Sequence, residues 1–425
     1  MRGTYRMKIL WLINIPLPEA SLLMTEKPVQ LGGWLMSTSQ LLSGIDGVEL
    51  SIAFPKKGVK GYSKLFGKNI KYYVFQEVRD NNKKMLSLNP VFMEIINDSD
   101  PDIVHIHGTE MAQSLSMLNT CNNKKVSTVV SIQGMVSIIA KHVLADLPVK
   151  VIYCRTLRNI ILKDSVIGLR KIFTNRGKNE IETIKKAGHI VGRTTWDKAC
   201  CSQINPGAKY YCCNETLRDE FYNHTWSIDY CENYSVFLSQ GHYPVKGLHY
   251  VIEALSIILK EFPDTKIYIG GKNILGRSSL KSTLSLTYYN KYIRRLIKRY
   301  NVESNVIFTG HLDEKQMCQQ YLRANVFVSA STIENESNSL SEAKLLGVPC
   351  VASYVGGVID RITHGVDGYL YQHDAPYMLA YYVCEIFRNK ELALKFSENA
   401  REHALKVNNR KENLNTLLTI YNEIC

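Results

Sequence analysis

Short apolar runs alternate along this chain with stretches in which apolar residues recur every three to four positions. In the second half, "SVFLS" (235–239), "KIYIG" (266–270), "NVIFT" (305–309), "NVFVS" (325–329) and "PCVAS" (349–353) read as strands. Helical spacing fills most of the gaps between them. It is clearest over 248–262, where Leu248, Val251, Ile252, Leu255, Ile258, Leu259 and Phe262 form one apolar stripe. Strands alternating with one-sided helices predict a parallel sheet covered on both faces.

The first half repeats the theme less regularly, with candidate strands "KILWLIN" (8–14), "VELSIAF" (48–54), "DIVHIH" (102–107), "VSTVVSI" (126–132) and "HIVG" (189–192). The expected architecture is α/β, with two Rossmann-like domains in tandem over 1–222 and 223–404. The join falls near "FYNHTWSIDYCENY" (221–234), which is polar, aromatic and without period. The last segment, 405–425, carries Leu414, Leu417, Leu418, Tyr421 and Ile424 at helical spacing. That helix either closes the second domain or crosses back onto the first.

Length supports the division, because 425 residues exceed what one hydrophobic core holds. Apolar content of 45% with 21% charged residues describes an ordinary globular chain. The net charge of +13 favours anionic partners: nucleotides, phospholipid headgroups or nucleic acid. With no aromatic-basic RNA motif, helix-turn-helix signature or Walker A sequence, the chain is not expected to bind nucleic acid. The eleven cysteines form no C-x-x-C pair, and the vicinal pairs Cys200-Cys201 and Cys212-Cys213 lack zinc-site spacing. They point to a reducing compartment, the cytosol. No apolar run reaches the roughly 18–20 residues needed to span a bilayer. At the start, "ILWLI" ends at Asn14, too short for a signal-peptide core and suited to a first buried strand.

In open parallel sheets, ligands bind at the carboxyl ends of the strands, so the residues after each strand are the candidates. After the first strand, Gly32 and Gly33 open a helical pattern reaching about Leu42. Two glycines there let the backbone approach a phosphate. After "SVFLS", Lys246 and Gly247 precede the best helix, placing a point charge where a diphosphate can be held. After "NVFVS" comes "STIENESNSLSEAKLLGVPC". Asn338 or a neighbouring serine caps a helix over about 339–346, and Gly347 and Pro349 stop it. Glu334 precedes that helix and Glu342 lies one turn inside it. From two backbone elements, the two carboxylates can face one pocket and accept hydrogen bonds from sugar hydroxyls. A polar loop with an exposed helix start fits the spacing equally well.

The same residues resemble the E-x7-E region of retaining glycosyltransferases of family 4, with Glu334 and Glu342 as its glutamates. The likeness continues through "PCVASYVGG" and "HGVDGYLY" and is supported by "VKGLHYVIEAL", "IYIGGKN", "VIFTGHL" and "PDIVHIHG". It implies a GT-B fold of two facing Rossmann-like domains, with a nucleotide-sugar donor held mainly by the second. It also implies roles. Glu334 contacts the transferred sugar and Glu342 the ribose. Ser337, Asn338, Ser339 and Leu340 lie near the diphosphate and sugar. Lys246 binds the diphosphate, Gly33 approaches it from the first domain, and Gly310, His311 and Leu312 flank the base. Glu334 and Lys246 are the residues expected to act in the reaction.

The chain departs from that pattern in three places. Gly241 stands where the family usually has an arginine, leaving Arg193, after "HIVG", as a candidate for the missing charge. Gln133 stands where a first-domain histidine is common; it donates a hydrogen bond but is no base. "NES" (335–337) replaces the usual glycine-aromatic sequence between the glutamates, leaving Glu336 either tuning sugar choice or facing water. His107, near the end of its strand, either lines an acceptor or sugar pocket with Gln133 or is a core histidine.

The resemblance implies transfer to an acceptor hydroxyl with retention, without cofactor or metal. The D-x-D pairs in "NDSDPD" (Asp98, Asp100, Asp102) sit at a strand's amino end, away from the site. The expected acceptor is a glycan or lipid-linked glycan of a bacterial surface polysaccharide. Residues 150–186 hold ten Lys or Arg against three acids, interleaved with Ile160, Ile161, Leu162, Val166, Ile167, Leu169 and Ile172. This segment either lies on an anionic membrane, at the inner face of the cell membrane, or is a solvated face with a buried stripe. The rival readings are a sugar-nucleotide 2-epimerase of the same architecture and a non-catalytic nucleotide- or nucleic-acid-binding protein.

Overall fold

The computed structural model describes residues 6–28, 32–78, 85–275 and 286–425. These group into two units, one of residues 1–138, 174–218 and 408–425, the other of 139–173 and 219–407. Each is an α/β unit on its own sheet.

In the first unit the strands are β1 (Met7–Leu12), β2 (Val48–Lys56), β3 (Tyr62–Phe66), β4 (Ile70–Gln76), β5 (Ile103–His107), β6 (Ser127–Ser131), β7 (His189–Gly192) and β8 (Lys209–Cys212). They form one sheet in the order β3-β4-β2-β1-β5-β6-β7-β8. All pairings are parallel except β3 with β4. The central strands are buried on both faces, which is why they read as unbroken apolar runs. Sequence periodicity missed β3, β4 and β8. β3 is an edge strand with Ser63 and Lys64 exposed, so its composition is that of a loop.

The terminal helix Arg410–Ile424 packs on this first sheet. Tyr421 is fully buried there; its hydroxyl accepts from Trp11 Nε1 at 2.9 Å and meets His105 Nδ1 at 2.6 Å. The other ring nitrogen of His105 contacts Ser131 Oγ at 2.6 Å. A satisfied polar chain thus ties the last helix to β1, β5 and β6. Asp98 pairs with Lys71 and Tyr73, and Asp100 with Lys8, so both acids hold the amino edge of the sheet together.

The second unit contains β9 (Glu232–Leu238), β10 (Lys266–Gly270), β11 (Val306–Gly310), β12 (Ala324–Ser329), β13 (Cys350–Ser353) and β14 (Tyr369–Tyr371). Their order is β11-β10-β9-β12-β13-β14, all parallel, so every carboxyl end lies on one edge. The helix Leu248–Ile258 buries the stripe seen in the sequence, including Leu248, Val251, Ile252 and Leu255. "KYIRRLIKRY" falls on the helix Tyr288–Arg299, which buries Ile293, Leu296 and Ile297 and turns its basic residues outward. Among the described residues no helix is long and apolar enough to cross a membrane.

Candidate functional site

The carboxyl edge of the second sheet gathers most of the expected site residues. After β9 the chain turns through Gly241 and a short 3-10 segment, Pro244–Lys246, into Gly247. Gly247 has φ +68°, and a Cβ there would lie 1.9 Å from the carbonyl oxygen of Ala330. Only glycine lets the loops after β9 and β12 approach so closely. Thr332 N–H donates to Val245 O at 2.8 Å, fixing the same approach.

This closeness brings Lys246 to Glu334. The ammonium lies 2.6 Å from Glu334 Oε2, which also accepts from Ser331 Oγ at 3.2 Å. Behind Glu334, the loop after β13 donates Gly357 N–H to the Glu334 carbonyl at 3.1 Å. Gly356, at φ +50°, would put a Cβ 1.9 Å from that carbonyl oxygen. The helix Asn338–Leu346 starts beside the pair. Its cap is Ser337, whose hydroxyl accepts from Leu340 N–H at 3.3 Å, and Gly347 closes it at φ +84°. Tyr321 donates to the Ser339 carbonyl at 2.9 Å, fixing the helix start. A small cavity of about 20 Å³ opens there, lined by Ser239, Gln240, Lys246, Ser331 and Ser337.

Gly310 ends β11, and His311 and Leu312 follow it on the same edge. Gly310 and Gly271, both at positive φ, exchange two backbone hydrogen bonds of 2.8 and 3.1 Å. Burial lowers the pKa of His242, with Lys246 and His311 adding to the effect. Glu342 is buried in the first turns of its helix.

Two departures from the family pattern have physical reasons. A Cβ at Gly241 would meet Leu248 Cδ2 at 2.8 Å and Ile269 Cγ2 at 2.9 Å, so that position has no room for an arginine. Glu336 does not face water: its carboxylate is buried and accepts from Arg361 Nε at 2.7 Å. A neighbouring buried cluster joins Lys344 to Asp367 at 2.7 Å and to His403 at 3.0 Å. Burial lowers the Lys344 pKa; burial also opposes ionisation of Asp367, but His403 and Lys344 outweigh it and hold that pKa down.

The other expected residues lie in the first unit. His107, Gln133 and Arg193 line one cavity of about 40 Å³, together with Trp11, Trp34 and Glu215. His107 is buried, and neither ring nitrogen has a hydrogen-bond partner among the described residues. Its ring stacks on His105 at 3.9 Å and meets Trp11 edge-on at 4.6 Å. Burial, with His105 beside it, holds its pKa well below the usual value, so it is a neutral donor and acceptor. Arg193 is committed within this unit: its guanidinium pairs with Glu215 and donates to the Gln133 carbonyl at 3.2 Å. Gly32, at φ +71°, caps the helix Gly33–Ser43, whose Trp34 and Thr38 border the cavity. A Cβ on Gly33 would run into the Arg218 side chain.

Sequence reasoning missed Trp34, Glu215, Arg218, Gly356 and Gly357. The strand-end rule applied to "PCVASYVGG" would have found the last two. It missed Glu180 as well, for want of any local signal. Glu180 is fully buried on the helix Val166–Lys186 and holds the loop after β6, which carries Gln133. It accepts from Val136 N–H at 2.6 Å, Ser137 N–H at 2.9 Å and Ser137 Oγ at 2.5 Å.

Burial pushes the Glu180 pKa up to about 7 against those hydrogen bonds, and Glu110 adds to the rise. The folded value lies above the ordinary glutamate value of 4.5. Its contribution to stability is therefore present below the unfolded pKa and lost as pH rises through the folded one. A shift of this size corresponds to about 3 kcal/mol. Urea midpoints of wild type should fall across that interval, and Glu180→Gln should flatten the fall. Equal slopes for the two proteins would remove Glu180 as the titrating group.

Residues 229–403 match the family profile "Glycosyl transferases group 1". The putative glycosyltransferase YtcC of Bacillus subtilis is 28% identical over 162 residues, 38% of this chain and 38% of that protein. The chain thus spans about two-fifths of that relative's length. Among solved structures, sucrose-phosphate synthase from Thermosynechococcus elongatus aligns with a TM-score of 0.68 at 14% identity, covering 98% of this chain and 99% of that one. HepE of Anabaena, in complex with UDP and glucose, aligns with a TM-score of 0.66 at 16% identity, covering 98% and 99%. These likenesses establish the fold, two Rossmann-like units of GT-B type. The second unit carries a glycosyltransferase group 1 domain, which supports a transferase enzyme.

Proposed function

We propose that this protein is a retaining glycosyltransferase of family 4 that moves a sugar from a nucleotide-diphosphate sugar to an acceptor hydroxyl. The observation that carries the reading is the Lys246–Glu334 pair, 2.6 Å apart, beside a capped helix N-terminus at the carboxyl edge of the second sheet. Lys246 and the free N–H groups of the helix Asn338–Leu346 bind the diphosphate. Glu334 accepts hydrogen bonds from the transferred sugar, Glu342 from the ribose, and the backbone of Gly310 to Leu312 flanks the base. The UDP bound to HepE supports a uridine donor.

In the reaction, the bond from the anomeric carbon to the diphosphate oxygen breaks, and the acceptor oxygen bonds to that carbon on the same face. The acceptor proton passes to the leaving phosphate. Negative charge grows on the diphosphate, and Lys246 and the helix dipole stabilise it there. These groups meet that charge without a metal. The cavity holding His107 and Gln133 takes a hydroxyl of the acceptor, which we assign to a lipid-linked glycan of a surface polysaccharide at the inner face of the cell membrane.

A thermal-shift screen of UDP- and GDP-sugars tests the donor, with and without EDTA. Ligand at about 100 times its dissociation constant should stabilise the fold by about 2.7 kcal/mol. The shift should persist in EDTA. Incubating the stabilising sugar nucleotide alone separates the rival activity: formation of an epimer would replace transfer by epimerisation. No shift with any nucleotide sugar would overturn the reading.

A further inference from the structure

One segment of the second unit is folded with its apolar side outward. The short helices Val149–Tyr153 and Leu157–Leu162 precede the helix Val166–Lys186. Val149 is 73% exposed, Leu157 64% and Ile161 76%, and Tyr153, Ile160 and Leu162 are exposed as well. Leu157, Ile160 and Ile161 follow helical spacing and share one face. Thr156 and Asn159, the polar residues between them, are buried.

The inversion is held by hydrogen bonds. Thr156 Oγ1 donates to the Leu286 carbonyl at 3.0 Å, and Asn159 Oδ1 accepts from Tyr288 N–H at 3.0 Å. Asn159 Nδ2 donates to Asp164 at 2.7 Å. A packed surface helix places its polar face in water and its apolar face inside. Here the fold fixes Thr156 and Asn159 inside with Val151 and leaves six large apolar side chains exposed. Single exposed apolar residues are ordinary, but a cluster marks an interaction surface. The solvated face with a buried stripe, one of the two expectations for this segment, does not hold at Ile160, Ile161, Leu162 and Ile172, all exposed.

Charge selects the occupant. From Leu147 to Lys163 the chain has four cations, Lys150, Arg155, Arg158 and Lys163, and no acid. The flanking acids are engaged: Asp164 pairs with Arg158 at 2.8 Å, and Asp146 accepts from the Tyr250 hydroxyl at 2.8 Å. A second copy would set Lys150, Arg155 and Lys163 against their own kind. We infer that this surface docks on an anionic phospholipid membrane, its apolar side chains entering the headgroup boundary and its cations meeting lipid phosphates. The inference deepens the lipid-linked-acceptor part of the proposed function, yet it stands on the segment alone.

Flotation of the full chain with vesicles tests it. The protein should float with phosphatidylglycerol-containing phosphatidylcholine vesicles and stay down with phosphatidylcholine alone. Leu157→Ser/Ile160→Ser/Ile161→Ser should lower the partition constant at least about tenfold, since each exposed apolar side chain contributes separately. Lys150→Gln/Lys163→Gln should lower it roughly 25-fold at low salt, at roughly fivefold per cation. Thermal shifts with the nucleotide sugar should be unchanged in both variants, so failure of docking is read separately from failure of the donor site. No flotation of wild type, or undiminished flotation of the triple-serine variant, would overturn the inference. So would a concentration-dependent dimer that the triple-serine variant abolishes, which would make the surface a contact between copies.

Discussion

Lys246→Ala is expected to lower turnover by roughly 10²–10³, the usual effect of removing one donor aimed at developing charge, about 2.7–4 kcal/mol of barrier. The fold should barely notice. The Lys246 side chain is 27% exposed and its partner Glu334 18% exposed, and a pair in such a position contributes under about 1 kcal/mol to stability. The melting temperature should therefore stay near wild type while the rate collapses. Lys246→Arg should recover only part of the loss, because a planar guanidinium cannot replace a compact ammonium in a tight turn. Initial rates with saturating donor, beside a melting curve for each variant, make the comparison. Near wild-type turnover in a folded Lys246→Ala protein would take Lys246 out of the reaction.

Gly356→Ala is expected to have the largest effect on stability. Its φ of +50° already disfavours a Cβ, and the added carbon would sit 1.9 Å from the Glu334 carbonyl oxygen. That oxygen belongs to backbone held by Gly357 N–H, so it cannot swing aside. Adding about 1–2 kcal/mol for the left-handed conformation to about 1–3 kcal/mol for overpacking gives roughly 2–5 kcal/mol. Gly310→Ala is the control. Gly310 has φ +82° but open space around its would-be Cβ, so only the conformational cost applies. A larger fall in melting temperature for position 356 than for position 310 isolates the close approach. Equal falls would mean that the loop after β13 is free to move away from Glu334.

Both outcomes bear on how a site is read from a chain. Strand ends and helix starts were legible because local physics sets them. "NVFVS" is an unbroken apolar run, as a strand buried on both faces must be, and Ser337 and Gly347 bracket the next helix by ordinary capping chemistry. Among the edge strands β11 was legible as "NVIFT", but β3, β8 and β14 were not: β3 and β8 are half solvated, and β14 is only three residues long, so burial left little pattern in them. Arg193 reads as a free cation in sequence and is paired with Glu215 in the fold. Glu336 reads as a loop acid and is buried against Arg361. Neither partner lies within helical or strand reach in sequence, and no local rule connects them.

The alternation of apolar runs and one-sided stripes determined by itself that this protein is built on two largely parallel sheets. Period and capping are properties of neighbouring residues, so a linear chain carries them in full. Tertiary structure alone decided which side chains meet: Lys246 with Glu334 across 88 positions, Tyr421 with Trp11 across 410, and Glu180 with Ser137 across 43. It also decided that Val149, Tyr153, Leu157, Ile160, Ile161 and Leu162 face outward, because hydrogen bonds joining Thr156 to Leu286 and Tyr288 to Asn159 turn that segment over. Such contacts depend on distances between elements far apart in sequence, and those distances exist only once both sheets and their loops have packed.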